Sequence, residues 1–391
     1  DATVQAAGGA PARTLVVRHH PLQPSDRRCF ERGALGVDGP WGFDPLLLDG
    51  ARAAARPRSA PAPFLTGVLP SVAEEVVGLD DLVAFVAHPV RAFLRQRLGL
   101  SRRTDDDRPV DALRVELDAL ERWAVGDRLL GALLAGGDVE AVCAAEVARG
   151  MLPPGALGED VLDDARQKAE AIAELARGVA AGSPGSLEID VAVAGGRRLV
   201  GTVPDVIGDL IRPTTYSSIG PKQRSAAWVR FLAATATHPD RPIASALIGW
   251  SRGAIDVTLA PLAAAPTERA AAAVAHLDAL VDLLDRGRRE PLPLYCRTSH
   301  AYAERVHQGR ADADGAAAKA WTSGYDWPKE DRDTEHVDVL SGVVPFVALL
   351  DAPPAPDETG PGWAEEESSR FGRLARRLWD PYLDAVARRS E

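Results

Sequence analysis

The stretch LEIDVAVAGGRRLVGTV, residues 187–203, decides the fold class of this chain. Apolar and polar residues alternate over residues 187–193, Gly195 and Gly196 follow, and the alternation returns over residues 197–203. A period of two is typical of a half-buried strand, and a Gly-Gly pair between two such runs is typical of a hairpin turn. We therefore predict an antiparallel β-hairpin here.

Further strands are predicted on the C-terminal side of the hairpin, at residues 206–218, 244–250 and 254–259. The first of them is expected to bend or end at Pro213, and a helix is expected to open at Pro221. The flanking sequence has mainly helical periodicity. This order of elements predicts an α/β fold in which a mixed sheet is flanked by helices.

The chain is expected to divide into a connector and one larger domain. Residues 1–65 are broken by Pro and Gly and show little helical periodicity, which indicates an extended connector. The larger domain is expected at residues 66–391, with a helical part at 66–182, a sheet-containing core at 183–290 and a helical tail at 291–391.

Two large aromatic residues, Trp41 and Phe43, lie in the predicted connector. The segment has too little regular structure to form a core of its own. Large aromatic side chains in such segments often anchor on a neighbouring surface. We therefore predict that Trp41 and Phe43 dock on a partner subunit. The alternative is that they pack on their own domain.

Composition narrows the classes of function. The chain has 391 residues and a net charge of −11, so it is not basic overall and any contact with DNA must be local. No apolar stretch approaches the roughly 18 residues of a membrane span. Three widely separated cysteines argue against a disulfide framework, which favours a cytoplasmic location. The sequence contains neither a GxxxxGK[ST] motif nor a GxGxxG motif, the patterns that indicate a bound nucleotide, so no cofactor is expected.

The predicted hairpin carries two cations at its turn. Arg197 and Arg198 directly follow Gly195-Gly196, where a strand-guiding element would present charge to DNA phosphates. The alternative is an ordinary solvated turn in an Arg-rich protein. Arg212 and Lys222 complete the predicted DNA-binding set.

Pro204-Asp205 follows the hairpin, where a metal-dependent nuclease would place its first metal ligand. Such a site also needs a second acid and a Lys on the next strand, to hold Mg²⁺ and steady the phosphate. The next strand ends in TTYSS, residues 214–218, and supplies neither. We therefore predict Asp205 as a vestigial metal position, with no bound metal and no catalytic residue. The rival is an active nuclease that uses Asp190, Asp205 and Asp209.

Four stretches of sequence together suggest a family. They are HPLQPS at residues 20–25, FVAHPVRAFLRQRLG at 85–99, MLPPGALG at 151–158 and FGRLARRLWDPYLDA at 371–385. In this order they resemble the C-terminal part of RecC, the gamma subunit family of the bacterial exodeoxyribonuclease V complex RecBCD. The resemblance extends over essentially the whole chain, and the second stretch is its most specific piece.

The resemblance implies a restriction-endonuclease-like core, a degenerate PD-(D/E)xK fold with many added helices. It implies a noncatalytic domain that guides DNA and docks subunits in double-strand-break processing and recombinational repair. The implied partners are RecB-like and RecD-like subunits and double- and single-stranded DNA at a fork, with no membrane. The connector would then lead from an N-terminal helicase-like region. A third reading is a protein-interaction domain that never touches DNA.

Overall fold

The computed structural model describes residues 17–57, 62–72, 74–101, 115–250, 257–325 and 327–387. The chain divides into two compact units, Asp1–Ala62 (unit 1) and Pro63–Glu391 (unit 2). Unit 1 contains a 3-10 helix, Arg27–Cys29, and helix α1, Pro45–Ala54, which begins at the capping residue Asp44. No helix within the described ranges is both long enough and apolar enough to cross a membrane.

Unit 2 is built around a mixed sheet of seven strands in its described residues. The strands are β1 (Val76–Gly78), β2 (Gly185–Val193), β3 (Arg197–Ile207), β4 (Leu210–Ile211), β5 (Thr214–Ser218), β6 (Ala244–Trp250) and β7 (Val257–Leu259). Their order is β1-β3-β4-β6-β5, with β2 paired to β3 and β7 paired to β6. The β1–β3, β4–β6 and β5–β6 pairs are parallel and the others are antiparallel.

Helices precede, interrupt and follow the strands. Those before the hairpin are α2 (Leu79–Ala87), α3 (Pro89–Ala92), α4 (Ala119–Leu134), α5 (Val139–Ala148) and α6 (Ala156–Val179), with a π-helical turn at Phe93–Arg97. Those after β5 are α7 (Pro221–Thr237), α8 (Pro266–Gly287), α9 (Cys296–His307), α10 (Ala313–Trp321), α11 (Thr334–Val339) and α12 (Arg370–Ala387). The 3-10 turns Glu330–Arg332 and Phe346–Leu349 lie between the last helices.

The predicted hairpin is confirmed. Strands β2 and β3 pair with Val193 opposite Arg197, and Gly195 and Gly196 form the turn with φ of 77° and 72°. Positive φ costs glycine little because it has no Cβ, so this turn depends on the Gly-Gly pair.

The predicted strand at residues 206–218 is instead three short pieces. Gly208, with φ of 56°, turns the chain so that Ile207 pairs with Leu210. Pro213 then separates β4 from β5, since proline offers no N–H to a ladder. The strand at 244–250 is confirmed as β6, whereas residues 254–256 of the last predicted strand lie outside the described residues.

Helices cover both faces of the sheet, as the sequence predicted. Leu247 of β6 belongs to the largest core cluster, with Trp228 and Phe231 of α7. The adjacent Ile248 belongs to a second cluster formed by α4 and α6. Because neighbouring strand residues point to opposite faces, the two clusters lie on opposite sides of β6.

The C-terminal helix α12 packs on the core of its own unit. Phe371, Leu374 and Leu378, spaced by three and four residues, are all buried. Leu378 lies in the largest core cluster, so the apolar stripe has its partner within unit 2. Pro381 lies inside this continuous helix.

Helix α4 approaches β5 closely because of one glycine. A Cβ added at Gly126 would overlap the ring of Tyr216 on β5. Trp123, one turn earlier on the same helix, donates its indole N–H to Ser217 Oγ at 2.7 Å. Gly126 therefore sets how near α4 and its tryptophan lie to the end of β5.

We expect Gly126→Ala to lower the free energy of unfolding by about 1–3 kcal/mol, because the new methyl group overpacks the Tyr216 contact. The matched control is Gly131→Ala on the same helix, where nothing lies within 4 Å of the added Cβ. There the better helix propensity of alanine should leave stability unchanged or raise it by up to about 1 kcal/mol. Urea unfolding measures both, and equal stabilities of the two variants would contradict the close approach.

Candidate functional site

A cleft of about 860 Å³ opens where strand β5 ends. Its wall contains Ser217 and Ser218 of β5 and Lys222 in the first turn of α7. The rest of its lining comes mainly from the beginnings of α3, α9 and α11 and from the turn Glu330–Arg332. Two of these helices, α7 and α9, are long, and their N-terminal ends contribute partial positive charge to the cleft.

The acidic side chains of the cleft already have protein partners. Glu330 accepts hydrogen bonds from the backbone N–H groups of Arg297 and Thr298 at 3.0 and 2.8 Å, and from the Thr298 hydroxyl. Glu335 accepts two bonds from the Arg91 guanidinium, at 2.8 and 3.2 Å. This pairing with Arg91 holds the pKa of Glu335 below its usual range. These two carboxylates are therefore committed to the fold.

Three basic side chains of the cleft are exposed and have no acidic partner among the described residues. Lys222, Arg297 and Arg332 line it, and none forms an ion pair within the described part of the chain. The other basic lining residues differ, because Arg91 is held by Glu335 and Lys329 donates to the carbonyl of Lys319 at 2.7 Å. The cleft thus presents a local excess of positive charge on an acidic protein.

One cluster beside the cleft has the residue types of a metal site. His88, Asp333 and His336 are the group of three potential ligands found among the described residues. However, His88 Nδ1 accepts the N–H of Arg91 at 3.1 Å, so Nε2 carries the proton and donates to Asp333 at 3.2 Å. Neither ring nitrogen of neutral His88 then offers a lone pair to a metal.

The same cluster has a clear structural role. Asp333 caps α11, accepting the backbone N–H groups of Glu335 and His336 at 3.1 and 3.2 Å. Burial alone would raise the pKa of Asp333, but the bond from His88 and the nearby His336 hold it well below its usual range. Burial lowers the pKa of His336. The cluster joins α3 to α11 through hydrogen bonds.

The three acids of the rival nuclease site are held apart by other partners. Asp190 pairs with Arg198 across the hairpin, and Asp209 pairs with Arg241 at 2.8 Å. Asp205 is half-buried on β3 with φ of 63°, and burial raises its pKa. Within the described ranges none of the three belongs to a group of three ligating side chains.

The predicted DNA-binding residues have different surroundings. Arg197 makes two bonds to Asp285, at 2.9 and 2.8 Å, and does not project from the hairpin tip as expected. Arg212 is only 5% exposed and donates to the carbonyls of Ala176 and Ala180. It therefore has little surface to offer a phosphate.

The other two predicted cations remain at the surface. Arg198 is exposed and pairs with Asp190, so the expectation for it stays a prediction. Lys222 lies in the cleft. Arg297 and Arg332 were not predicted, because no spacing in the sequence relates them to Lys222. The general excess of arginine was the only signal, and it was unspecific.

Unit 1 presents the two aromatic residues predicted to dock. Phe43 is 84% exposed, and Trp41 is half exposed with its ring centre 4.5 Å from that of His20. The backbone N–H groups of Trp41 and Gly42 donate to the carbonyl of Cys29 at 2.9 and 2.7 Å. The segment is thus held by its backbone while both aromatic rings remain open to contact.

Comparison with known proteins identifies the family. Residues 74–307 match the RecC C-terminal domain family. The chain is 36% identical over 376 residues, 96% of its length, to the RecBCD enzyme subunit RecC of Mycobacterium tuberculosis strain H37Rv. It is 37% identical over 371 residues, 95% of its length, to that of Mycolicibacterium smegmatis.

A more distant relative shares a shorter region. The RecC subunit of Escherichia coli K12 is 34% identical over 165 residues, which is 42% of this chain and 14% of that protein. The chain spans about a third, 33%, of the length of the mycobacterial relatives. Because the family match extends over more than half of the chain, the chain belongs to the RecC family and contains its C-terminal domain.

Proposed function

We propose that this chain is a noncatalytic domain that guides DNA and docks subunits in a RecBCD-type complex for double-strand-break processing and recombinational repair. The relatives are named as RecC subunits of the RecBCD enzyme, which supports the assembly. The proposed core is a restriction-endonuclease-like fold that has lost its catalytic residues. RecB-like and RecD-like subunits and forked DNA are the proposed partners.

The proposal that the domain is noncatalytic rests on the surroundings of Asp205. The charged groups that influence its carboxyl are the guanidiniums of Arg230 and Arg212, not a second carboxylate. A metal-dependent nuclease of the PD-(D/E)xK type needs two carboxylates to hold Mg²⁺ beside a phosphate. No carboxylate is among the charged groups that act on Asp205 in the described structure, and strand β5 offers only Thr, Tyr and Ser.

The cleft supports the guiding role. Lys222, Arg297 and Arg332 are spread around one opening, where they can contact successive phosphates of a strand. The acids beside them are already bonded, so they compete little for these cations. We place the principal DNA contact at this cleft and keep Arg198 as a secondary candidate.

The rival nuclease is disfavoured by the pairing of its acids. Metal binding at Asp190 and Asp209 would require both carboxylates to exchange a guanidinium partner for the ion. The pairs lie on different strands and turns, and nothing in the described structure brings them to Asp205.

The purified chain should not degrade linear DNA in the presence of Mg²⁺ or Mn²⁺, because Asp205 has no second acid with which to hold the ion. Electrophoresis of labelled linear duplex measures this, with calorimetric titration of the two ions as an independent test of specific binding. DNA degradation that Asp205→Ala abolishes would overturn the noncatalytic proposal. The control for contaminating nuclease is Asp240→Ala, at an exposed acid in the loop after α7.

Reversing two cleft charges, Lys222→Glu with Arg297→Glu, should weaken binding to forked DNA by at least tenfold. The slope of log affinity against log salt should also fall by about one for each phosphate that the variant no longer neutralises. The matched control is Arg27→Glu with Arg52→Glu, which makes the same change in charge at two exposed, ion-paired arginines that have no proposed role in DNA binding. Equally weakened binding in both variants would indicate a nonspecific effect of net charge and contradict the assignment to the cleft.

Replacing the exposed rings of unit 1, Trp41→Ala with Phe43→Ala, should leave the melting temperature nearly unchanged, because neither ring is buried. It should reduce copurification of RecB-like and RecD-like subunits with the full-length protein. Leu46→Ala, at another exposed apolar residue of unit 1, is the control. A large drop in thermal stability with intact copurification would show that the two rings serve the fold of unit 1.

A further inference from the structure

Another, smaller pocket of unit 2 has a volume of about 260 Å³ and shares only His336 with the cleft. It is lined by parts of α3 and α11, by the 3-10 turn Phe346–Leu349 and by the first residue of α12. Its buried lining residues include Leu292, Tyr295, His336 and Leu349. Its exposed lining residues are Ala348 and Ala352, so the pocket opens to solvent beside these two alanines.

The pocket is lined by a buried hydroxyl group that makes no hydrogen bond. Tyr295 is 3% exposed, and its hydroxyl has no hydrogen-bond partner among the described residues. Burial raises the pKa of Tyr295, so the hydroxyl keeps its proton and can donate it. A buried polar group without a partner is costly, so this hydroxyl is suited to a hydrogen-bonding group that enters the pocket.

The imidazole ring of His336 supplies a hydrogen-bond acceptor in the same lining. Its Nδ1 donates to the carbonyl of Glu330 at 2.8 Å, and burial lowers the pKa of His336. The ring is therefore neutral, and Nε2 keeps its lone pair. Nothing in the described part of the chain donates a hydrogen bond to Nε2. Tyr295 and His336 together give the pocket one free donor and one free acceptor.

The pocket offers no free charge to an ionised ligand. Arg370 supplies the one guanidinium of the described lining, and it is bound by Glu290 and Glu358 at 2.6 and 2.8 Å. The other lining residues are almost all apolar. A neutral ring with a hydroxyl group, such as the phenol of a tyrosine side chain, matches these surroundings. Its ring contacts apolar side chains, and its hydroxyl can accept from Tyr295 or donate to His336.

The size of the pocket and its surroundings favour a side chain of a polypeptide over a free small molecule. Sites for free small molecules are usually larger, about 300–1,000 Å³. Val343 and Val347 are 58% and 65% exposed and lie in the segment between the lining residues Leu340 and Ala348. A free phenol would leave these valines in water, whereas a polypeptide that inserts a side chain beside them can cover them.

We propose that this pocket is an anchor site for a tyrosine side chain on a segment of a partner protein. The ring of the partner's tyrosine fills the pocket, and its hydroxyl bonds to Tyr295 or His336. The flanking residues of the segment cover Val343 and Val347. This docking site lies in unit 2 and is independent of the exposed rings of unit 1 and of DNA contact at the cleft.

The test is a ligand-observed NMR titration of the purified chain with three probes. Two are short, acetylated and amidated alanine peptides with a central tyrosine or a central phenylalanine, and the third is p-cresol, the tyrosine side chain alone. The tyrosine peptide should bind about fivefold to tenfold more tightly than the phenylalanine peptide, because it alone supplies a hydroxyl to the buried polar groups. It should also bind more tightly than p-cresol, because its backbone covers the apolar rim.

Two variants then assign the contact. Tyr295→Phe should remove most of the preference for the tyrosine peptide without lowering the melting temperature, because the lost hydroxyl makes no bond in the unliganded protein. Ala348→Leu should obstruct the exposed rim and weaken binding of the tyrosine peptide by at least about tenfold. The matched control is Ala171→Leu, at an exposed alanine of α6 that does not line the pocket.

Each possible failure has a distinct meaning. Equal binding of the tyrosine and phenylalanine peptides would overturn the anchor site, as would a preference that persists in full in Tyr295→Phe. Equal effects of Ala348→Leu and Ala171→Leu would place peptide binding elsewhere and also overturn it. Tighter binding of p-cresol than of the tyrosine peptide would indicate a site for a free phenol and contradict docking of a partner. DNA binding at the cleft is measured separately, so none of these results would decide it.

Discussion

The parallel pairing of β5 with β6 is the interaction on which the candidate site depends. It joins Thr214 to Ile248 and Ser218 to Trp250, which fixes the point where β5 ends. Helix α7 begins at Pro221, so the position of the strand end also fixes that of Lys222. The helix cannot shift, because Trp228 and Phe231 are buried in the main core. A short strand thus connects the core to the cleft.

The electrostatics of the cleft follow from which charges remain unpaired, not from the total charge. The chain carries a net charge of −11, and many of its arginines are bonded to carboxylates within the fold. Arg370, for example, bridges Glu290 and Glu358 at 2.6 and 2.8 Å. The opposite charges of such a pair largely cancel each other's field at distances greater than their separation. Salt screens the remaining field beyond about 10 Å. The few cations left without partners therefore dominate their own surroundings.

The fold was more predictable than the site, for a physical reason. The hairpin, the mixed sheet and the helix at Pro221 depend on local periodicity and turn residues, which a single sequence displays directly. The division of residues 206–218 into three pieces depends on one positive φ at Gly208, which the apolar pattern does not reveal. The burial of Arg212 depends on carbonyl oxygens near the end of α6, more than thirty residues away. Of the three free cations at the cleft only Lys222 was predicted, because only folding brings Arg297 and Arg332 to it.

The ion pairs of the acids also distinguish a scaffold from a nuclease that has merely lost one catalytic residue. In the proposed degenerate site, restoring an acid and a lysine on β5 would not by itself recreate a metal centre. Tyr216, in the middle of that strand, is packed against α4, and the available acids Asp190 and Asp209 are bonded to arginines. Asp205 would still face Arg230 and Arg212, whose positive charges oppose a divalent cation beside it. The proposed loss of catalysis thus rests on the cations around Asp205, whereas the proposed guidance of DNA rests on a different set of cations, Lys222, Arg297 and Arg332, at the cleft.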